Sequence, residues 1–179
     1  MKKIILTILI LVFTFSVFSC VKSPKIDKDK FEFSLTFGIE GTSSYDSKTG
    51  ELIRTKHSQN PEKYTAQLKL SEEKIDEIIA VIDELDILSY PDKYSPSKTS
   101  FVDASGETIM VSQAPCEMII LSVETAEFSK TVTCGTVLFE HEGCDDKAQH
   151  FLDAVDTITK IITETDEWKA FPELDFGFC

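Results

Sequence analysis

Phe31, Phe33, Leu35, Phe37 and Ile39 alternate with Glu32, Ser34, Thr36 and Gly38. Apolar side chains at every second position over nine residues predict a strand buried on one face and wet on the other. Such a strand needs a sheet around it and something apolar laid over its greasy side. The rest of the chain has to supply both.

Tyr45 to Gly50 is turn chemistry, with Gly50 able to take positive φ, and Glu51 to Lys56 predicts a return strand. After a polar break at Ser58 to Pro61, Tyr64, Ala66, Leu68 and Leu70 alternate again as a third strand. Ser71 is placed to cap a helix whose first turn carries Glu72 and Glu73. Ile75, Ile78, Ile79, Ile82 and Leu85 follow at helical spacing, and Pro91 ends that helix at the latest. Residues 90–108 read as a long loop with room for one short strand, and a further strand is expected at Ile109 to Val111.

Glu117 to Val123 and Phe128 to Cys134 predict a hairpin turning around Thr125. Asp145 and Asp146 open a second helix with Ala148, Phe151, Leu152, Val155, Ile158 and Ile162 as its apolar stripe, Trp168 near its end and Pro172 closing it. The tail from Glu173 to Cys179 is apolar enough to dock back. Strand runs separated by single helices predict an α+β fold, an antiparallel sheet with two amphipathic helices packed on one face.

Ahead of this domain stand Lys2 and Lys3, an apolar stretch from Ile4 to Val12, and then Phe13 to Ser19 before Cys20. A short basic start, an apolar core and a small residue before a cut site form a secretory signal, too short for a comfortable membrane span. Val17-Phe18-Ser19-Cys20 resembles the lipobox of bacterial lipoproteins, with an aliphatic residue three before the cysteine and a small one directly before it. Phe18 is bulkier than the usual occupant of its place. The resemblance implies a signal peptide over 1–19, diacylation of the Cys20 thiol, and palmitate-type acylation of the new amino terminus. More than one chain is required, because a single acyl chain anchors only marginally. The implied location is the cell envelope. Val21, where an acidic residue would signal inner-membrane retention, tilts the expectation toward the outer membrane. A single-membrane bacterium would show the same residues.

Residues 20–30, with Pro24 and no periodic apolar signal, are expected to be a lipidated flexible tether, and 31–179 a single domain. The chain carries 18 basic and 31 acidic residues, net −13; removing residues 1–19 takes Lys2 and Lys3 and no acid, leaving about −15. That field repels nucleic acid and anionic membrane surfaces, so DNA and RNA are set aside as partners. The succession of alternating first strand (Phe31–Ile39), Ser-Glu-Glu helix (Ser71–Leu88), Tyr-Pro-Asp loop (Tyr90–Tyr94), hairpin (Glu117–Cys134) and closing helix near a Trp (Asp146–Trp168) also resembles small domains of unknown function in bacterial lipoproteins. That likeness implies a fold and no functional residue.

Apart from Cys20, the cysteines are Cys116, Cys134, Cys144 and Cys179, an even set that in an exported domain reads as two disulfides. A hairpin turning around Thr125 would bring 116 and 134 opposite one another, which favours Cys116–Cys134 and leaves Cys144–Cys179. The rival is a metal site of Cys134, His141, Cys144 and His150, whose C-x6-H-x2-C-x5-H spacing matches no standard finger. No G-x-S-x-G elbow, phosphate-binding glycine loop or EF-hand loop is present. Asp76, Glu77, Asp83, Glu84 and Asp86 read as a solvated helix face. Tyr90, Tyr94 and Phe101, in the long loop, are the aromatic candidates for binding. The expectation is a lipid-anchored, non-catalytic binding or interaction module without a cofactor. Its partner would be an envelope protein or a cell-wall component. The competing classes are a hydrolase-like enzyme and a metal-binding lipoprotein.

Overall fold

A computed structural model describes residues 26–96, 100–102, 105–110, 115–137 and 144–174. The fold is α+β. A six-stranded antiparallel sheet runs in the order β4-β3-β2-β1-β7-β8, built from β1 (Glu32–Phe37), β2 (Ser43–Asp46), β3 (Glu51–Ile53), β4 (Thr65–Gln67), β7 (Glu117–Glu124) and β8 (Ser129–Val137). A separate hairpin pairs β5 (Ser100–Val102) with β6 (Thr108–Met110). The helices are α1 (Glu72–Leu85), α2 (Asp146–Thr163) and a single turn, α3 (Asp166–Lys169).

The alternation in β1 does what its period demands. Phe33, Leu35 and Phe37 join one core with Ile78 and Ile82 of α1 and Phe151, Val155 and Ile158 of α2, while Glu32, Ser34 and Thr36 lie on the opposite face. Tyr45, Leu52, Leu121, Val123, Val132 and Cys134 extend that core across the sheet. The helices start where the sequence says. The Ser71 side chain accepts from Lys74 N–H, and Asp145 accepts from Ala148 N–H. α1 stops before Pro91, because Asp86 takes the left-handed conformation at φ 49°. Asp is one of the few non-glycine residues that enter this region at modest cost.

Several expectations change. The stretch predicted as turn from Tyr45 contains a strand, since Ser43–Asp46 pairs with β1 (Leu35 opposite Tyr45) and with β3 (Tyr45 opposite Leu52). The third strand begins later than expected, because Pro61–Tyr64 forms a 3-10 turn. The loop after α1 is not free either. Thr133 N–H donates to Asp92 O at 2.8 Å, Tyr94 N–H donates to Thr133 O at 2.9 Å, and Lys130 pairs with Asp92 at 2.6 Å. These bonds cover the outer edge of β8, which would otherwise offer unpaired backbone groups.

Both margins of the described part are also held. Ile26, within the expected tether, is buried beside Ile82, Ile87, Leu88 and Phe128. Lys28 pairs with Asp76 at 2.8 Å. Ile26–Lys30, expected as part of the tether, is therefore packed onto the domain, while residues 20–25 of that tether lie outside the described residues. The reason is that one isoleucine fills a gap at the C-terminal end of α1, a contact invisible to periodicity. At the other end, Arg54 donates to the carbonyls of Phe171 (3.3 Å) and Pro172 (2.9 Å), and Tyr64 donates to that of Glu173 (3.0 Å). Of the tail expected to dock, Glu173 is held through its carbonyl, Leu174 is exposed at 42%, and residues 175–179 lie outside the described residues.

Ile26→Ala is expected to cost about 2–3 kcal/mol of unfolding free energy, as for a buried aliphatic truncation. Urea denaturation of the domain measures it. A loss under about 0.5 kcal/mol would return residues 26–30 to the tether.

Candidate functional site

Two hollows lie beside Lys48. One, of about 250 Å³, is on the open face of the sheet and is lined by Glu32, Ser34, Asp46, Lys48, Ser122, Glu124, Ser129 and Thr131. The other, of about 490 Å³, lies between the β2–β3 turn and the start of α1, against Gln67, Leu68 and Ile75. The first is the candidate site, because the register explains how its chemistry is assembled. Ser34 stands between Asp46 on β2 and Ser122 on β7, and Ser122 stands opposite Thr131 on β8. The side chains of that row project to the face that, among the described residues, the helices leave uncovered. The hydroxyls of Ser122 and Thr131 are 2.9 Å apart.

At the end of the groove, Glu32 is directly opposite Glu124. Like charges facing each other across two strands are unfavourable. Lys48 resolves the conflict, with its Nζ 2.6 Å from Glu32 and 3.9 Å from Glu124. The hydrogen bond to Glu32, reinforced by both carboxylate charges, raises the Lys48 ammonium above its ordinary pKa. The pair is exposed, so its contribution to stability is small. What it provides is a charged rim to a floor of hydroxyls, suited to hydrogen-bonding a polar ligand. Among the described residues, no histidine lines either hollow.

The sequence candidates are scattered. Cys20, His141 and Cys179 lie outside the described residues, as does the Phe101 side chain, whose backbone is in β5. Cys116, Cys134 and Cys144 are free thiols. The expected Cys116–Cys134 bond does not fit the hairpin. Ile119, not Cys116, is opposite Cys134, and Glu117 is already opposite Val137 beyond a bulge. The turn is centred between Ala126 and Glu127 rather than on Thr125. A displacement of one and a half residues in the centre moves the register by three, roughly 10 Å along the strand and beyond disulfide reach.

Of the expected metal set, Cys134, Cys144 and His150 lie among the described residues. Cys134 is in the core at 0% exposure, the Cys144 thiol donates to Pro96 O at 3.2 Å, and His150 is exposed with Nε2 3.3 Å from Glu84 O. Among the described residues, no group of three or more His, Cys, Asp or Glu side chains is placed to hold an ion.

Tyr90 and Tyr94 point inward rather than into a binding surface. Their rings and that of Phe151 form a triangle with centroids 5.2–5.5 Å apart, and the Tyr90 hydroxyl donates to Lys147 O at 3.0 Å. Both are packing residues, an outcome that aromatic area favours once any helix face is within reach. The groove was missed because its residues are ordinary strand serines and threonines. The only sequence signal was the polar half of the alternation itself. No protein-family model matches this chain, and neither a curated protein nor a solved structure is significantly similar to it.

Burial pushes the Cys134 thiol up to about 12 and the Tyr94 hydroxyl up to about 12. Native-state alkylation should therefore modify Cys116 and Cys144 and spare Cys134 until the protein unfolds, read by peptide mass mapping. Both shifts carry a pH dependence. Above the unfolded thiol value near 9 the unfolded chain sheds a proton that folded Cys134 keeps, so stability falls as pH rises from about 9 to 12. Tyr94 adds to the fall from about 10 upward. Cys134→Val should remove the part that begins near pH 9. Urea midpoints across that range decide it, and identical slopes in both proteins would count against a buried neutral thiol.

Proposed function

We propose that this chain is an exported lipoprotein held to an envelope membrane through Cys20, and that its domain is a non-catalytic binding module using the open face of the sheet. The anchor reading is carried by one observation, Val17-Phe18-Ser19-Cys20 standing at the end of a basic-then-apolar leader. The binding reading is supported by the groove over Ser34, Ser122 and Thr131, rimmed by Glu32, Asp46 and Glu124. An antiparallel sheet covered on one side only leaves such a face available. The proposed partner is an envelope protein or a polar cell-wall component, for which paired hydroxyls and carboxylates are suitable acceptors and donors.

The gathering of three carboxylates also favours a second reading, a hydrolase-like enzyme. General acid–base work needs two groups with different proton affinities on one reacting bond. Here the ammonium of Lys48 occupies the space between Glu32 and Glu124, an arrangement of ion pairing. The binding module is the better-supported reading.

Metabolic labelling with a palmitate analogue should mark the wild-type protein and leave Cys20→Ala unmarked and free of the membrane fraction. Equal labelling of the two would end the anchor reading. In-cell crosslinking should give adducts that Ser122→Arg loses by at least about tenfold while keeping its urea midpoint. An unchanged adduct pattern would move binding off this face. Loss of a hydrolytic activity in Glu32→Gln and Glu124→Gln, with adducts intact, would favour the enzyme.

A further inference from the structure

The buried arm at Ile26 has a consequence for how the domain meets a membrane. Among the described residues the chain begins at Ile26, packed between the C-terminal end of α1 and Phe128. Lys28 then fixes the arm along α1 by pairing with Asp76 at 2.8 Å and Glu72 at 3.8 Å. Five residues, Val21 to Lys25, separate Ile26 from Cys20. Even fully extended, the six steps from Cys20 to Ile26 cover roughly 20 Å. A domain of this size has a radius of gyration of about 15 Å and is close to 40 Å across. A lipid on Cys20 therefore cannot let the domain turn its far end to the bilayer. The reach is about half the required length.

We infer that the end of the domain holding Ile26 faces the lipid surface and rests at the headgroups, an inference that builds on the anchor reading above. The occupant of this surface is the bilayer. Three features of the end agree. Leu88 is an exposed large apolar side chain, 41% accessible, and it stands beside Ile26 and half-buried Phe128. The Thr125–Phe128 turn, tightened by the Thr125 side chain receiving Phe128 N–H at 3.0 Å, projects here as well.

Charge is also polarised along the chain. Val21–Lys30 carries four lysines, Lys22, Lys25, Lys28 and Lys30, against Asp27 and Asp29, in a protein whose net charge is −13. A juxtamembrane basic segment is drawn to anionic headgroups while the acidic body is pushed off. Asp83 and Asp86 beside the exit point limit how closely the end can approach. The opposite end carries the Gly38–Thr42 turn and α3, joined through the Phe37–Trp168 ring contact. The groove's Glu32–Lys48–Glu124 rim is at the membrane-facing end of β1. A partner entering it would do so close to the lipid.

The test uses the mature lipidated protein in phosphatidylethanolamine–phosphatidylglycerol nanodiscs containing a photoactivatable diazirine phospholipid. Intact mass establishes the acyl chains first. Adducts are then mapped by peptide. The expected pattern is labelling of 26–30, 83–90 and 124–128 at least about tenfold above 38–42 and 166–170. A second protein carries a Gly/Ser insert of about 60 residues after Lys22, whose r.m.s. span of roughly 40–45 Å matches the domain's width, and should lose most of that contrast. Acylated protein labelled evenly, or preferentially at 38–42, overturns the orientation and leaves the anchor standing. Contrast that survives the insert means the end binds lipid by its own chemistry rather than by the short strap, which overturns the tether argument. Absence of acyl mass overturns the anchor and the orientation together.

Discussion

β1 is the element on which the rest of the structure depends. It pairs with β2 on one side and β7 on the other, so within the sheet the meander of the first half is joined to the hairpin of the second through it. Its three inward side chains, Phe33, Leu35 and Phe37, are the ones that both helices cover. Each such burial contributes on the order of 1.5–3 kcal/mol from apolar area alone. A one-residue slip would exchange that face for Glu32, Ser34 and Thr36. The register of the whole sheet is therefore set by the cost of putting a carboxylate and two hydroxyls under Ile78 and Phe151. Every strand partner inherits that choice, including the row of hydroxyls that forms the groove.

The same constraint explains the charged rim. Once β1 is fixed, Glu32 has to face Glu124, and the repulsion is offset by Lys48 from the β2–β3 turn. Gly50 closes that turn at φ 74°, its N–H bonded to Asp46 O at 2.8 Å. A side chain there would also press on Gln67 and the Leu68 carbonyl at 3.1–3.2 Å. The turn is thus held in shape by a backbone that only glycine fits comfortably, and its position delivers the lysine. The groove is a by-product of sheet register completed by one turn.

Much of the fold was legible because it rests on periodicity and capping. The alternation of β1, the stripe of Ile75 to Leu85, and the caps Ser71 and Asp145 all express local rules that the tertiary structure obeys. What escaped reading rests on single residues whose partners are distant in sequence. Ser43–Asp46 carries turn-type residues yet is a strand, because Tyr45 is needed in the core beside Phe33, with ring centroids 5.6 Å apart. Tyr90 and Tyr94 sit in a proline-rich loop yet pack on Phe151, sixty residues away. The hairpin was recognised but not its centre, and that small displacement was enough to separate Cys116 from Cys134. The candidate site was the least legible part. Serine and threonine on the wet face of a strand are what any open sheet shows, and only the register reveals that Ser34, Ser122 and Thr131 share one row.

The two margins of the described part are fastened by different physics. Ile26 is held by shape, in an apolar notch that a smaller residue would leave partly empty. The carboxyl-terminal segment is held by its backbone, since Arg54 and Tyr64 bind three successive carbonyls, of Phe171, Pro172 and Glu173, whatever side chains those residues carry. A backbone clamp tolerates substitution along the tail and fails only when the donor is lost. A side-chain notch tolerates little substitution at its one residue but leaves its neighbours free. The residues after Ile26 are not free in this sense, since Asp27 accepts from Asp29 N–H at 3.2 Å and Lys28 pairs with Asp76 at 2.8 Å.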